Sequence, residues 1–345
     1  TNETGQAITN LSVQFTAEQW RVGANAATNA LAFAYCVTNA VLPLNAGAWR
    51  PVKALCFNSP AVTNASQSAG AVHLSETVLA SIAQPIMPGQ VVLLRWSDED
   101  DAGNDHGFGI DDLTVTWAAG AVPDAIPVGM AGATEDFDEM GTDAAAVLPF
   151  LWRVETRDDA PRVSGDYAAA SNAATYANSA VNFTAGGSYN FSASAAYDQA
   201  VGGLPSSNAA QSVTVFAKFR NATGRPVKRW AVRYAVEKYR NGTVGSAVRL
   251  LASANGAAWT AVGSPTAFAA DADTNGYAAD ARPGAALAVE RQALFDAPIA
   301  AGGVFYLSWQ IAVAAGEASV SAQALGIDDV EVVPAFSSQG VMMVQ

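Results

Sequence analysis

Gly109-Ile-Asp-Asp-Leu-Thr-Val115 and Gly326-Ile-Asp-Asp-Val-Glu-Val332 are two stretches of this chain that are almost alike. Apolar and polar residues alternate in each, which is the period-two pattern of a half-buried β-strand. Strict alternation puts the Ile and the second Asp on one face of the strand and the first Asp on the other. We therefore expect one carboxylate of each motif near apolar side chains, where it needs a cation or several hydrogen-bond donors.

Four more landmarks precede this closing strand, in the same order, in both halves of the chain. They are an Asn-x-Thr-Gly turn, an alternating run, an Ala-Trp pair and a strand that ends in Trp. The first half has them at 2–5, 11–21, 48–49 and 85–96, and the second half has them at 221–224, 230–240, 258–259 and 298–309. Landmarks matched in this way indicate a repeated module.

Helix signals are weak, and short strands separated by Gly, Asn and Pro clusters are typical of antiparallel sandwiches. We predict an all-β protein of two tandem antiparallel β-sandwich (jelly-roll) domains, the first lacking its N-terminal strands. The first module starts almost at its Asn landmark, whereas the second carries 134–220 ahead of its own. The predicted parts are an incomplete jelly-roll module at 1–118, a linker at 119–133, a complete jelly-roll module at 134–336 and an apolar C-terminal tail at 337–345.

The charge balance excludes one large class of partner. Of the 345 residues 14% are charged, and the formal net charge is −13 at pH 7. A nucleic-acid-binding surface needs the opposite sign. No apolar run approaches the roughly 20 residues of a membrane span. The chain begins at Thr1 without a charged-then-apolar leader, and we interpret it as a processed product or fragment of a secreted protein, extracellular or at the cell surface.

Two cysteines, Cys36 and Cys56, lie twenty residues apart in the first module. In an oxidising compartment they could form a disulfide between neighbouring strands, and otherwise they are two buried thiols. The spacing fits neither a zinc site nor a Cys-x-x-Cys redox motif. The sequence leaves both alternatives open.

The landmarks together resemble the concanavalin A-like and MAM-like jelly-roll modules of secreted bacterial multidomain proteins. The first half carries the resemblance in Glu18-Gln-Trp-Arg21, Leu94-Arg-Trp-Ser-Asp98 and Asp105-His-Gly-Phe-Gly-Ile-Asp-Asp112, and the second half in Glu135-Asp-Phe137, Leu148-Pro149, Trp152 and Gly326-Ile-Asp-Asp329. The resemblance implies a role in adhesion, carbohydrate binding or assembly, in some members with a structural calcium ion. The second half departs from the pattern, because its residues 310–323 lack the Asp-rich loop and the Asp-His-Gly.

An acidic loop, Asp98-Glu-Asp-Asp101, precedes the closing strand of the first module. With Asp105, Asp111 and Asp112 it brings seven carboxylates together, and these repel one another unless they are solvated, hydrogen-bonded or neutralised by a cation. Calcium takes several oxygen ligands from such loops, whereas the alternative is a solvated turn in which one Asp caps backbone amides. The candidate calcium ligands of both modules are Asp98, Asp100, Asp101, Asp105, Asp111, Asp112, Glu135, Asp138, Asp328 and Asp329.

The sequence contains few combinations of residues that could form a catalytic site. His106, flanked by Asp, suggests a dyad, but no Gly-x-Ser-x-Gly nucleophile elbow accompanies it and His73 is the one other histidine. We expect His106 to order its loop through a hydrogen bond. Glu18 and Glu237 occupy matched positions, which favours a repeated structural role over a pair of glycosidase carboxylates. The tryptophan landmarks, Trp20 among them, are interpreted as core and not as a sugar-stacking platform.

The main hypothesis is a non-enzymatic structural or adhesive surface protein. A jelly roll without its opening strands exposes a sheet edge and part of its core. A strand from a neighbouring chain or module would cover both by donor-strand exchange and build fibres or arrays. The candidate donor is the tail segment Val341, Met342, Met343 and Val344. The alternative is a carbohydrate-binding, lectin-like module with a polysaccharide as its partner, and a hydrolase is the third hypothesis.

Overall fold

The computed structural model is all-β, which confirms the predicted fold class. It describes residues 1–63, 65–67, 73–82, 84–100, 103–141, 146–158, 164–174, 176–177, 184–192, 198–205, 211–274, 283–313 and 321–336. Regular structure in this part of the chain consists of strands and three short 3-10 turns, Lys53–Leu55, Asp138–Met140 and Tyr167–Ala169. None of these residues belongs to a helix long and apolar enough to cross a membrane. The chain divides into two compact units, Thr1–Pro123 and Asp124–Gln345.

Unit 1 is a small sandwich of two antiparallel sheets. Its strands are β1 (Ala7–Gly23), β2 (Ala30–Thr38), β3 (Arg50–Pro51), β4 (Phe57–Asn58), β5 (Ser66–Gln67), β6 (Leu74–Ile82), β7 (Val91–Asp98) and β8 (Gly107–Gly120). In one sheet β1 lies between β6 and β8, with β5 pairing at its C-terminal end. In the other sheet β2 pairs with β3, β4 and β7.

The long strand β1 shows why these residues form a sandwich. One face of the strand is buried, and the residues between are at least partly exposed. The buried row is Leu11, Val13, Phe15 and Ala17. This row shares a core cluster with Phe33 and Tyr35 of the opposite sheet. Removing each large apolar side chain from water contributes about 1.5–3 kcal/mol, so the period-two pattern fixes which face turns inward.

Unit 2 is a larger sandwich. Its strands are β9 (Ile126–Val128), β10 (Ala133–Glu135), β11 (Trp152–Arg157), β12 (Tyr176–Ala177), β13 (Gly187–Ser192), β14 (Gln199–Leu204), β15 (Ser212–Asn221), β16 (Val227–Arg240), β17 (Ser246–Ser253), β18 (Thr260–Ala261), β19 (Thr266–Ala267), β20 (Ala285–Ile299), β21 (Val304–Val313) and β22 (Ala324–Ala335). One sheet has the order β12-β13-β14-β22-β16-β20, with β10 also on β22. The other has β11-β15-β21-β17-β18, with β9 on β15 and β19 on β17.

Five strands of unit 1 match five strands of unit 2 by their landmarks and their pairing. The matched strands are β1 and β16, β2 and β17, β6 and β20, β7 and β21, and β8 and β22. In unit 2 the far edge of β22 pairs with β10 and β14, and the far edge of β21 pairs with β15. In the described part of unit 1, β8 pairs only with β1, and β7 only with β2. The described part of unit 1 thus shows no counterpart of the strands that pair at these two edges in unit 2. The tail residues Val341–Val344, named from the sequence as donor strand, lie outside the described residues.

The stretch 119–133, predicted to be a linker, contains regular structure. Its first two residues end β8, and β9 pairs in parallel with the end of β15. Ile126 and Val128 have the β-propensity to join a sheet, and this outweighs the Pro and Gly content that suggested a linker. The predicted linker is corrected accordingly, since the boundary between the units lies between Pro123 and Asp124.

The Asn-x-Thr-Gly turn of unit 1 ties the start of the chain to the β6–β7 connection. Asn2 Nδ2 donates to the carbonyl oxygens of Gln6 at 2.8 Å and Ile86 at 2.7 Å. Its Oδ1 accepts hydrogen bonds from the backbone N–H and the hydroxyl of Thr4. Asn is suited to this position because its amide both donates and accepts.

The matched turn of unit 2 repeats these contacts. Asn221 Nδ2 donates to the carbonyl oxygens of Arg225 and Ile299, each at 2.8 Å. Its Oδ1 accepts from the backbone N–H and the hydroxyl of Thr223. Both turns therefore close the same corner of their sandwiches with one buried side chain.

Both cysteines are thiols in the structure, so the disulfide alternative is not formed. Cys56 Sγ accepts the backbone N–H of Phe33 at 3.4 Å, which places it beside β2. Cys36 lies three residues further along the same strand, roughly 10 Å at the usual rise. That separation exceeds the Cα spacing of about 7 Å that a disulfide spans. The sequence could not show this, because it depends on the register of the sheet.

Candidate functional site

The outer face of the β6-β1-β8 sheet carries an aromatic surface. From Leu11 to Gln19 the buried residues of β1 are odd-numbered, so the even-numbered Glu18 and Trp20 lie side by side on the outer face. His73 immediately precedes β6, which runs beside β1. We name these three residues, Glu18, Trp20 and His73, the Trp20 platform.

Three contacts hold the Trp20 platform together. The indole Nε1–H of Trp20 donates to Glu18 Oε2 at 2.8 Å, and His73 Nε2 lies 3.0 Å from Glu18 Oε1. The rings of Trp20 and His73 are stacked, with centroids 4.1 Å apart and 20° between their planes. The hydrogen bonds from His73 and from Trp20 lower the pKa of Glu18. Its side chain is therefore a carboxylate at neutral pH, with both oxygens engaged.

A glycine lies beneath the indole. Gly109 of β8 is opposite Glu18, and a Cβ at this position would come within 3.4 Å of Cδ1 and Nε1 of Trp20. The absence of a side chain lets the indole lie low over β8. Trp20 remains 40% exposed although His73 stacks on it. An exposed indole with polar groups at its rim is an amphipathic surface.

Unit 2 has the matched residues Glu237, Tyr239 and Gly326, but there they are covered. Tyr239 donates its hydroxyl to Glu237 Oε2 at 2.6 Å, and its ring stacks on Phe191 with centroids 4.3 Å apart and 3° between the planes. A Cβ on Gly326 would lie 2.9 Å from Ala200 Cβ and 3.1 Å from Phe191 Cδ2. Tyr239 is 3% exposed as a result. Strands β13 and β14 thus cover this face with their own side chains.

The described residues of unit 1 include no counterpart of β13 and β14. The outer face around Trp20 stays open for that reason. In unit 2 an aromatic ring of the protein itself, Phe191, occupies the place beside Tyr239. The described part of unit 1 has no counterpart of Phe191, and the ring that stacks on Trp20 is that of His73, which precedes β6.

Carboxyl groups crowd the covered face of unit 2. Burial, together with the neighbouring charges of Glu237, Asp329 and Asp198, raises the pKa of Asp328 to about 9 against the lowering effect of the Asp329 N–H. Burial also raises the pKa of Glu237. Asp328 is therefore a neutral acid at pH 7, and protonation spares this face the cost of a buried charge.

Both closing strands contain a β-bulge at the second Asp of the motif. Asp112 and Asp329 adopt left-handed conformations with φ of 52° and 49°, and the N–H of each donates to the carboxyl group of the preceding Asp at 2.7 Å. The strict alternation expected from the sequence is wrong here, because the extra residue of the bulge leaves both second Asp residues exposed. Asp tolerates this conformation because its short side chain bonds locally.

The predicted calcium ligands that the structure describes lie at separate places in the two units. Among the described residues, no three His, Cys, Asp or Glu side chains lie close enough together to hold a metal ion. Two of the unit 2 candidates bind backbone amides: Glu135 Oε1 accepts the N–H of Phe137, and Asp138 Oδ1 accepts the N–H of Gln199. Glu135 thus holds the turn that follows β10, and Asp138 ties the next 3-10 turn to the start of β14.

The described acidic residues of unit 1 occupy several different segments around β7 and β8. Asp98 ends β7, Asp100 is exposed in the segment that follows, and Asp105 lies just before β8. Asp111 and Asp112 are exposed on β8. Asp101 lies outside the described residues, so calcium binding by this loop stays a prediction.

His106 is a buried residue that orders its loop. Its Nδ1 accepts the N–H of Gly23 at 3.1 Å, and its Nε2 lies 3.2 Å from the carbonyl oxygen of Ala27. Its own N–H donates to Asn29 Oδ1. Because Nδ1 accepts, the ring is the neutral tautomer that carries its proton on Nε2. These contacts agree with the loop-ordering role expected from the sequence.

Trp20 was expected in the core, and this prediction is wrong, because the side chain lies on the outer face of the sheet. Three other tryptophans are in the core as expected, namely Trp152, Trp230 and Trp309. The signal for Trp20 lies in strand parity. Phe15 and Ala17 are inward-facing residues of β1, and Trp20 stands at an odd spacing from both, so it must face outward.

No protein-family model and no curated protein matches the chain. Among solved structures, the CBM22-1–CBM22-2 tandem domain of Paenibacillus barcinonensis Xyn10C is 8% identical with a TM-score of 0.32, over 97% of this chain and 81% of that one. TmCBM61 in complex with β-1,4-galactotriose is 11% identical with a TM-score of 0.21, over 40% and 72%. The K3 cleaved adhesin domain of Lys-gingipain from Porphyromonas gingivalis w83 is 12% identical with a TM-score of 0.29, over 58% and 98%. Likenesses at this level do not assign a function.

Proposed function

We propose that this chain is a non-enzymatic carbohydrate-binding protein of the extracellular space or the cell surface. The observation that supports the proposal is the Trp20 platform, an indole ring 40% exposed on an open sheet face and fixed by Glu18 and His73. A sugar ring presents an apolar face of C–H groups and a rim of hydroxyl groups. The indole matches the apolar face, and carboxylate and imidazole groups match the hydroxyls.

The indole is held in place before a ligand arrives. Its hydrogen bond to Glu18 and its stacking on His73 restrict the side chain, so that little conformational freedom is lost on binding. Thr16 and Asp111 pair with each other on the same outer face, and Thr16 lies two residues before Glu18 on β1. Both end in oxygen atoms that can bind sugar hydroxyls.

The charge of the site favours a neutral glycan. Glu18 is ionised because its pKa is lowered, Asp111 is exposed on the same face, and the whole chain has a formal net charge of −13. Uronic acid or sulfate groups would meet like charges at close range, which is unfavourable. We expect neutral hexose polymers to bind better than acidic polysaccharides.

The same geometry supports binding over hydrolysis. A glycosidase needs one carboxylic acid that donates a proton and a second carboxylate that attacks or activates water. Glu18 has a lowered pKa and both oxygens occupied by His73 and Trp20, which suits a group that positions the indole. In unit 2 the matched Glu237 is buried under Tyr239.

Substitution of Trp20 tests the proposal. A glycan array with the complete 345-residue protein should identify neutral glycans, and titration calorimetry then measures their Kd. Trp20→Ala is expected to raise the Kd at least tenfold, about 1.4 kcal/mol, because the stacking surface is lost. Trp20→Phe keeps an aromatic face without the hydrogen bond to Glu18, and an intermediate Kd is expected.

Trp117→Ala is the matched control, because Trp117 is an exposed tryptophan of the same unit that lies opposite Leu11 on the inward side of the sheet. This variant should bind the glycan as the unaltered protein does. The proposal is wrong if no glycan binds, or if Trp20→Ala and the unaltered protein bind with equal affinity.

A further inference from the structure

Two carboxamide side chains of unit 2, those of Asn190 and Gln199, are buried with an oxygen atom that accepts no hydrogen bond. Asn190 is 0% exposed and Gln199 is 2% exposed. Within the described part of the chain, neither Asn190 Oδ1 nor Gln199 Oε1 has a donor. A buried oxygen without a partner is costly. Two such atoms on adjacent strands indicate a partner that the protein itself does not supply.

The two side chains lie on the same face of the ladder that β13 forms with β14. Asn190 is opposite Val201, and Gln199 is opposite Ser192. They are therefore diagonal neighbours, and residues in such pairs lie about 7–8 Å apart. Val201 belongs to the unit 2 core. Both carboxamides therefore face the interior of the sandwich.

Both side chains also contact one short segment, the 3-10 turn Asp138–Met140 with Gly141 after it. Asn190 Nδ2 donates to the carbonyl oxygen of Gly141. Gln199 Nε2 donates to the carbonyl oxygen of Asp138 at 3.3 Å, and the backbone N–H of Gln199 donates to Asp138 Oδ1 at 3.0 Å. The carboxylate of Asp138 thus belongs to the same cluster as the two carboxamides.

The hydrogen bonds to these carbonyl groups determine which end of each carboxamide is the oxygen. If the amide of Asn190 were turned over, its Oδ1 would face the carbonyl oxygen of Gly141, and two acceptors would meet. The same holds for Gln199 and the carbonyl oxygen of Asp138. The atoms without a partner are therefore oxygens. The missing partner must donate hydrogen bonds or carry positive charge.

We infer that Asn190 Oδ1, Gln199 Oε1 and the carboxylate of Asp138 hold a calcium ion. Calcium takes its ligands from carboxylates, from the carbonyls of Asn and Gln, from backbone carbonyls and from water. A buried water molecule could donate to both oxygens as well. It would bring no positive charge to a place where a carboxylate and carbonyl oxygens lie together.

This site differs from the one expected from the sequence. Asn190 and Gln199 are not among the expected ligands, and of those ligands only Asp138 takes part. A calcium ion here joins the 3-10 turn to β13 and β14. It therefore stabilises unit 2 and has no part in the Trp20 platform, which belongs to unit 1.

Calorimetry of the complete 345-residue protein, in EDTA and in calcium chloride, tests the inference. Because the ion binds the folded state, calcium should raise the Tm of unit 2 by about 5 °C. Gln199→Met keeps the length of the side chain but removes the oxygen, and it should abolish this rise. Gln310→Met is the matched control, since Gln310 is a glutamine of the same unit that is 3% exposed. It should leave the rise unchanged.

Gln199→Glu changes the site in the opposite direction. It adds a second carboxylate, so the Kd for calcium measured by titration calorimetry should fall about tenfold. In EDTA the same variant should have a lower Tm than the unaltered protein, because two carboxylates then repel each other without an ion.

Equal Tm values in EDTA and in calcium for the unaltered protein would overturn the inference, since water would then fill the place. So would an equal rise for the unaltered protein and Gln199→Met, because calcium would then bind elsewhere. Trp20→Ala should keep the whole rise even where it abolishes glycan binding. The calcium site and the proposed function are thus tested separately.

Discussion

At the scale of single residues, Asp111 and Asp328 show how one motif serves two environments. Both precede a left-handed Asp, and both accept its N–H. Asp111 is exposed, whereas Asp328 is 3% exposed on the face that β13 and β14 cover. The pKa of Asp328 reaches about 9 because those strands exclude water and other carboxyl groups lie near.

Asp328→Asn is expected to stabilise unit 2 at neutral and alkaline pH. An Asp with a pKa of about 9 in the folded protein and near 4 in the unfolded chain binds its proton more tightly when folded. Its contribution to stability is complete below about pH 4 and is lost as the pH rises to about 9. Asn stays neutral and can still accept the N–H of Asp329. Denaturant unfolding should show a gain of about 5 kcal/mol at pH 8, about 1.4 kcal/mol for each pH unit above 4, which shrinks towards zero near pH 4.

Asp111→Asn is the control for that measurement, because its carboxyl group is exposed. It should leave the pH dependence of unfolding unchanged. A gain from Asp328→Asn that is the same at pH 4 and pH 8 would show that the carboxyl group does not titrate as described.

At the scale of structural elements, the two Asn-x-Thr-Gly turns hold long strands in place. Asn221→Ala removes a buried amide and leaves the carbonyl oxygens of Arg225 and Ile299 without their donor. We expect a loss of about 2–4 kcal/mol from unit 2, because each unsatisfied buried acceptor costs about 1–3 kcal/mol. Differential scanning calorimetry measures this as a lower Tm.

Asn2→Ala should have the same effect on unit 1, since its contacts are matched. Asn255→Ala is the milder control, because Asn255 is exposed and accepts from the backbone amides of an exposed turn. The role assigned to the turns fails if Asn221→Ala and Asn255→Ala lower the Tm equally.

Strand parity explains which strands could be predicted from the sequence. β1 and β22 have enough alternating residues to fix both their existence and their buried face. Strands as short as β18 and β19, of two residues each, have no sequence pattern of their own. They form because β17 lies beside them. The bulges at Asp112 and Asp329 could not be predicted, because a left-handed Asp depends on local hydrogen bonds that the alternation of apolar and polar residues does not encode.

At the scale of the whole molecule, the two units should unfold separately, with unit 1 first. In unit 1 Leu113 and Trp117 are 48% and 58% exposed, whereas the matched Val330 and Pro334 of unit 2 are buried, so each of the two contributes less hydrophobic stabilisation. We expect two calorimetric transitions, the lower one assigned to unit 1 by the loss of exchange protection in β1. A single transition, or unit 2 unfolding first, would contradict this assignment.

The candidate site was half predictable from the sequence. The absence of a counterpart to 134–220 in the first module already implied an uncovered sheet, and strand parity, applied to Trp20, would have placed it outside instead of in the core. What the sequence could not show was that His73 stacks on the indole and that Glu18 bonds both rings. His73 and Glu18 are 55 residues apart, and only the register of β1 with β6 brings them together.

The turn at Asn2 also determines how unit 1 responds to tension. A pull on Thr1 is first borne by Asn2, whose side chain holds Ile86 and whose N–H donates to the carbonyl oxygen of Gln90 at 2.8 Å. Beyond this clamp the force runs along β1, seventeen residues between two antiparallel neighbours, whose hydrogen bonds would have to break in shear together and not one after another. The start of unit 1 is thus a mechanical anchor.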